Sequence, residues 1–119
     1  MFIGTDIVEV KRIRKMLDEK GDRFLTHIYA AEEVDYCSER IHPHLHYAGR
    51  FSAKEAIKKA LLSSGLFDYV LLKEIVIRRS NTGAPIVCLP AGISVKGEVI
   101  VSISHTANYA TATAIFQPR

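Results

Sequence analysis

The chain has 119 residues, 48% of them apolar and 24% charged, with a formal charge of +3 and a pI of about 9.0. One ordinary domain fits that length, and its core needs no disulfide or structural metal as a staple. The mild basic excess argues against a dedicated nucleic-acid binder and suits a positive patch for an acidic partner or a phosphorylated ligand.

Phe2 to Val8 is short, apolar and β-branched, which predicts a buried strand. From Glu9 the period changes: Val10, Ile13 and Leu17 recur at helical spacing, Lys11, Arg12, Arg14 and Lys15 take the remaining surface, and Gly21 ends the helix. Phe24, Leu25 and Ile28 suggest a short helical turn. Ala30 to Arg40 reads as another helix, broken by His42-Pro43-His44. A longer helix is expected from about Leu45 to Ser64, its inner face including Leu45, Phe51, Ala56, Ala60 and Leu61, with Gly65 as its stop.

The remainder reads as strand. Lys73 to Arg79 alternates, Asn81-Thr82-Gly83 is a turn, and Pro85 to Leu89 returns as a hairpin partner. Pro90 to Gly97 reads as a loop or at best a weak helix. Glu98 to Ser104 and Ala110 to Phe116 alternate on either side of a His105–Asn108 turn, and the alanines at 110, 112 and 114 leave space for something large opposite. The expected fold class is α+β in a single domain, residues 1–119: an N-terminal strand and helices, then a C-terminal antiparallel sheet that the first strand joins. Cys37 and Cys88 lie outside any CxxC pair and read as reduced, part-buried thiols. The N-terminus lacks the pattern of a signal peptide and no apolar stretch is long enough to span a membrane, so a cytoplasmic protein is expected.

Three places are odd for a purely structural protein. Asp6 interrupts an apolar strand, where a carboxylate must be paired, hydrogen-bonded or metal-bound, or else cap the next helix. In Phe51-Ser52-Ala53-Lys54-Glu55-Ala56-Ile57-Lys58-Lys59, Glu55 and Lys59 share a helix face with Ser52, and Lys54 and Lys58 form a neighbouring basic ridge. An ordinary exposed Glu–Lys pair would look the same. Ser102-Ile103-Ser104-His105 brings a histidine and two hydroxyls to a strand end, which fits a ligand site or a turn histidine bonded to its own loop.

Taken in order, Gly4-Thr5-Asp6-Ile7, Ala48-Gly49-Arg50-Phe51-Ser52-Ala53-Lys54-Glu55-Ala56 and Ser102-Ile103-Ser104-His105 give the chain a close resemblance to the short bacterial 4′-phosphopantetheinyl transferases of the holo-acyl-carrier-protein synthase type, over nearly its whole length. The resemblance implies transfer of phosphopantetheine from coenzyme A to a serine of an acyl carrier protein, with Mg²⁺ as cofactor. It makes Asp6 and Glu55 the metal ligands, Glu55 and Lys59 catalytic, and Arg50, Lys59 and His105 the coenzyme A contacts. It also implies a homotrimer whose sites lie between subunits, with His105 supplied by the neighbour of the subunit that supplies Asp6, Glu55 and Lys59. Lys11, Arg14 and Lys15, on one side of the first helix, would then meet the acidic carrier protein. Val8 stands where larger members carry a further acidic ligand. His42, His44 and His46 lie outside the motifs; a transition-metal site is conceivable there, and a solvated loop is the favoured reading. The rival from another class is a non-catalytic basic module that docks an acidic protein or RNA through the first helix.

Overall fold

The computed structural model describes all 119 residues. Its first strand, β1 (Phe2–Glu9), runs straight into α1 (Val10–Lys20), where the apolar period changes from two to that of a helix. Gly21 ends α1 at a φ of +48°, which a residue without Cβ adopts easily, and its N–H donates to Leu17 O. Two short helices follow, α2 (Asp22–Ile28) and α3 (Ala31–Ser38). Pro43 then opens α4 (Pro43–Ser63), which spans 21 residues; a proline in the first turn loses no hydrogen bond, because that N–H has no partner in a helix anyway.

A single 3₁₀ turn (Leu72–Glu74) leads to β2 (Val76–Arg79) and β3 (Pro85–Cys88), then to one helical turn, α5 (Ala91–Ser94), and to β4 (Gly97–His105) and β5 (Tyr109–Pro118). The main sheet has the order β1-β5-β4, all antiparallel, with Asp6 opposite Ala112 and Ala112 opposite Ile103. Strands β2 and β3 form a separate two-stranded hairpin instead of extending that sheet. The strand expected from Lys73 begins only at Val76, because the backbone at Leu72–Ile75 is curled into the 3₁₀ turn, with Ile75 N–H donating to Leu72 O.

Helix α4 fills the space the alanines leave. Ala53, Ala56 and Ala60 pack on Ala112, Ala114 and Phe116, all fully or almost fully buried. Small residues on both sides let helix and strand approach closely, most of all at Gly4, which lies against Ala56 and Ala60. A second core beneath α1, α2 and α3 joins Val8, Ile13, Phe24 and Tyr29 to Tyr47 of α4. The opposite face of the main sheet has no helix over it: Ile3, Ile7 and Ile100 are 60%, 68% and 67% exposed.

Candidate active site

Asp6 lies on the helix side of β1, and its backbone is fixed from two directions. Ser52 Oγ of α4 donates to Asp6 O at 3.1 Å, and Thr111 Oγ1 of β5 donates to the same oxygen at 2.8 Å. The carboxylate is only 14% exposed. Lys59 Nζ donates to its Oδ1 at 3.2 Å and to Thr5 O at 2.9 Å. Asp6 Oδ2 is buried with no partner. Buried polar atoms are nearly always satisfied, so a bare carboxylate oxygen asks for a donor or a cation.

Lys59 therefore pairs with Asp6, and the Glu55–Lys59 pair that helical spacing allows is not made. Glu55 remains half-buried on the same flank of α4, one turn before Lys59. The flank thus carries two carboxylates and an ammonium, with one carboxylate oxygen unmatched. No group of three or more metal-ligating side chains converges anywhere in the chain, so protein could supply only part of a coordination shell. That donor set, two carboxylates and open positions, is the kind Mg²⁺ accepts while keeping waters.

The other flank of α4 looks different. Arg50 and Glu55 are five residues apart, so at 3.6 residues per turn they point about 140° apart around the helix. Arg50 lines a cleft of about 240 Å³ with His46, Tyr36, Arg78, Arg79 and His105. Arg50 is 8% exposed and its guanidinium stacks on the Tyr36 ring at 4.4 Å, while its Nε finds no acceptor. Arg79 Nη1 donates to Tyr36 Oη at 2.9 Å. Arg78 is already paired with Glu32, through Nε at 2.6 Å and Nη2 at 3.1 Å. Arg50 and Arg79 have no carboxylate partner, so the cleft suits an anion. His46, against Tyr36 at 5.9 Å between ring centroids, has its pKa pushed below the ordinary histidine value by burial and then by Arg50 and Arg40. The structure thus groups Arg50 with His105, and Asp6 with Lys59 beside Glu55, with α4 between the two groups.

Lys54 departs from its expected place. It is not part of an exposed ridge with Lys58 but fully buried, ion-paired to the equally buried Glu33. Nζ also donates to Ile28 O at 2.8 Å and Leu72 O at 3.2 Å. Burial pulls its pKa down and the Glu33 charge opposes that. Tyr47, Ile57 and Leu61 mark the same helix stripe at spacings of three and four, a signal in the sequence that positions 50 and 54 face inward. Arg78 and Arg79 also escaped the sequence reading; their one signal was two adjacent arginines at a strand end beside the Asn81–Gly83 turn.

Lys11, Arg14 and Lys15 are exposed along α1 as expected. Arg14 Nη2 donates to His44 Nε2 at 2.9 Å, and the two border a cavity of about 320 Å³ with Lys11 and Asn108. His42, His44 and His46 do not converge: His44 faces Arg14 while His46 packs on Tyr36.

The family model of the 4′-phosphopantetheinyl transferase superfamily matches residues 2–114. The holo-[acyl-carrier-protein] synthase of Chlamydia pneumoniae is 44% identical over 118 residues, covering 97% of this chain and 95% of that protein. The enzyme of that name from Chlorobaculum tepidum is 40% identical over 119 residues and the full length of both. Among solved structures, the Bacillus anthracis holo-(acyl-carrier-protein) synthase in complex with CoA (3′,5′-ADP) superposes with a TM-score of 0.83 at 32% identity, covering 99% of this chain and 96% of that one. The Helicobacter pylori synthase in complex with coenzyme A gives 0.83 at 30% identity, covering 97% and 99%.

Proposed function

Since the chain belongs to the 4′-phosphopantetheinyl transferase superfamily, we propose that it transfers the 4′-phosphopantetheine of coenzyme A to a serine of apo acyl carrier protein, releasing adenosine 3′,5′-bisphosphate. The observation that carries the site assignment is the unmatched charge on the two flanks of α4: a bare carboxylate oxygen on Asp6 and a bare guanidinium N–H on Arg50. A docking module that bound partners through α1 alone would have no use for either.

The donor carries a pyrophosphate and a separate 3′-phosphate, and the two flanks divide that charge. The Arg50, Arg79 and His105 cleft takes the 3′-phosphate end. Lys59, whose Nζ is steadied by Thr5 O, binds the pyrophosphate with its remaining donor capacity and neutralises charge as the leaving group departs. The carrier serine oxygen forms a bond to the phosphorus bearing pantetheine, and the bond from that phosphorus to the bisphosphate oxygen breaks. Glu55 accepts the serine proton. Asp6 and Glu55 are the residues that would hold Mg²⁺, which when bound supplies further charge neutralisation to the pyrophosphate. No covalent enzyme intermediate is needed; positioning provides most of the acceleration.

Because α4 stands between the two half-sites of one chain, a complete site is best made from two copies. The uncovered sheet face, with Ile3 and Ile7 on one outer strand and Ile100 on the other, supports association of subunits through that face, and a homotrimer is the assembly we favour. The acidic, helical carrier would approach along Lys11, Arg14 and Lys15. No helix is long and apolar enough to cross a membrane, and we place the enzyme in the cytoplasm.

The test is release of adenosine 3′,5′-bisphosphate from coenzyme A with apo carrier protein, with and without Mg²⁺. Activity should require the metal and fall at least ~100-fold in Asp6→Ala and in Glu55→Ala with the fold retained. Near-normal turnover of either variant at saturating Mg²⁺ would refute the assignment.

A further inference from the structure

We infer that the buried Lys54–Glu33 ion pair is a positioning device that sets the separation between the two walls of the arginine cleft. The inference rests on the reading that this cleft takes the 3′-phosphate end of coenzyme A.

The pair is saturated. Lys54 Nζ has three protons and three acceptors: Glu33 Oε1, Ile28 O and Leu72 O. Glu33 also accepts from Ala30 N at 2.9 Å and from Ile77 N at 3.1 Å. One ion pair thereby ties α4 to the end of α2, the start of α3, the 3₁₀ turn and β2. Stability alone does not explain it, since well-packed apolar residues of similar volume hold a core together at least as well as a buried ion pair. What a saturated pair adds is direction, because each bond fixes one segment at one distance from α4.

Its place in the fold says what is being fixed. Lys54 is one helical turn after Arg50, which forms one wall of the cleft. Ile77, held by Glu33, immediately precedes Arg78 and Arg79 of the opposite wall. The same helix α3 supports both walls again through Tyr36, whose ring lies under Arg50 and whose hydroxyl accepts from Arg79. Helix α3 is a spacer, and Glu33 is its fixed point. Neither member of the pair lines the cleft, so both act through the arginines.

The experiment uses Glu33→Gln, Lys54→Met and the double Glu33→Gln/Lys54→Met, which removes both buried charges together. Binding of adenosine 3′,5′-bisphosphate is measured by calorimetry alongside steady-state kinetics, with Arg50→Ala as reference. In folded variants the Kd for the bisphosphate and the KM for coenzyme A should rise about tenfold, with kcat and the KM for the carrier changed by less than about threefold. Unchanged Kd in a folded double variant, with Arg50→Ala weakened, overturns the positioning role and leaves the cleft assignment standing. Unchanged Kd in Arg50→Ala overturns the cleft assignment and the inference with it. Equal loss of kcat and melting temperature without a KM shift, or failure of all three variants to fold, would show a structural requirement instead and equally overturn the inference.

Discussion

Replacing Gly4 by alanine should cost this protein much of its stability. A Cβ at that position would stand 1.9 Å from the carbonyl oxygen of Ala56 and 2.6 Å from the nitrogen of Ala60. Both are backbone atoms of α4 and cannot rotate away. A C···O contact settles at about 3.3 Å, so β1 and α4 must separate by over about 1 Å. The strand is held by its ladder to β5, and Asp6 O is held by Ser52 and Thr111, so the retreat also breaks bonds. Overpacking typically costs ~1–3 kcal/mol, and with rigid partners the upper end applies. For a chain of this size ~3 kcal/mol lowers the melting temperature by ~12 °C. Thermal unfolding followed by circular dichroism measures it, with Gly92→Ala as control, where no atom lies within 4 Å of the new Cβ. A melting temperature for Gly4→Ala within ~2 °C of the parent would refute the close-approach argument. Activity below the transition should fall too, because Lys59 binds the carbonyl of the adjacent Thr5.

Reversing Arg14 to Glu should raise the KM for the carrier protein severalfold and leave that for coenzyme A nearly unchanged; equal loss of carrier use with added salt in variant and parent would argue against electrostatic steering. Mixing inactive Glu55→Ala and His105→Ala proteins under subunit exchange should restore activity, since some mixed interfaces carry both native residues; no recovery after exchange verified by mass would place the site within one chain. Stability should fall as the pH drops below the ordinary histidine value of 6.5, because His44 and His46 both have lowered pKa values in the fold, from burial first and then from nearby cations. Their neutral forms are the ones the fold favours, so this contribution is complete above that pH and is lost below it through the folded pKa values. Denaturant melts at pH 7 and pH 5.5 should show a smaller difference in His44→Gln/His46→Gln than in the parent.

The period of the apolar residues made most of the fold legible. Alternation at Glu98–Ser104 and Ala110–Phe116, and helical spacing at Val10, Ile13 and Leu17, each found the right element. The small alanines correctly announced a large neighbour, which is α4. What period could not reveal was pairing at a distance. Nothing local says that β2 and β3 stand apart from the main sheet, because a hairpin reads the same whether or not a third strand joins it. Nor could the alternation of one strand tell which face a helix would cover. The sheet turns its alanine face to α4 and leaves Ile3, Ile7 and Ile100 uncovered on the second face.

The lysines of α4 show why charge is a poorer guide than period. Lys54, Lys58 and Lys59 lie within six residues; Lys54 and Lys58 read as one exposed basic ridge, and Lys59 as sharing a face with Glu55. Their surroundings separate them. Lys54 lies on the stripe of Tyr47, Ile57 and Leu61, so it must enter the interior, and it can do so only because Glu33 arrives there from α3. Lys59 lies on the flank next to β1, where its ammonium pairs with Asp6. Inside the apolar stripe, Lys54 is neutralised by another protein group and has every donor used. A charge beside the stripe keeps a side open. Asp6 Oδ2 and Arg50 Nε are polar atoms the fold encloses and does not satisfy, and they lie on opposite flanks of one helix. A ligand that satisfies both must carry charges matching both, which a pyrophosphate with a distant third phosphate does in company with a metal ion. The unsatisfied atoms, more than the number of charges, separate the residues open to a ligand from those that hold the helix in place.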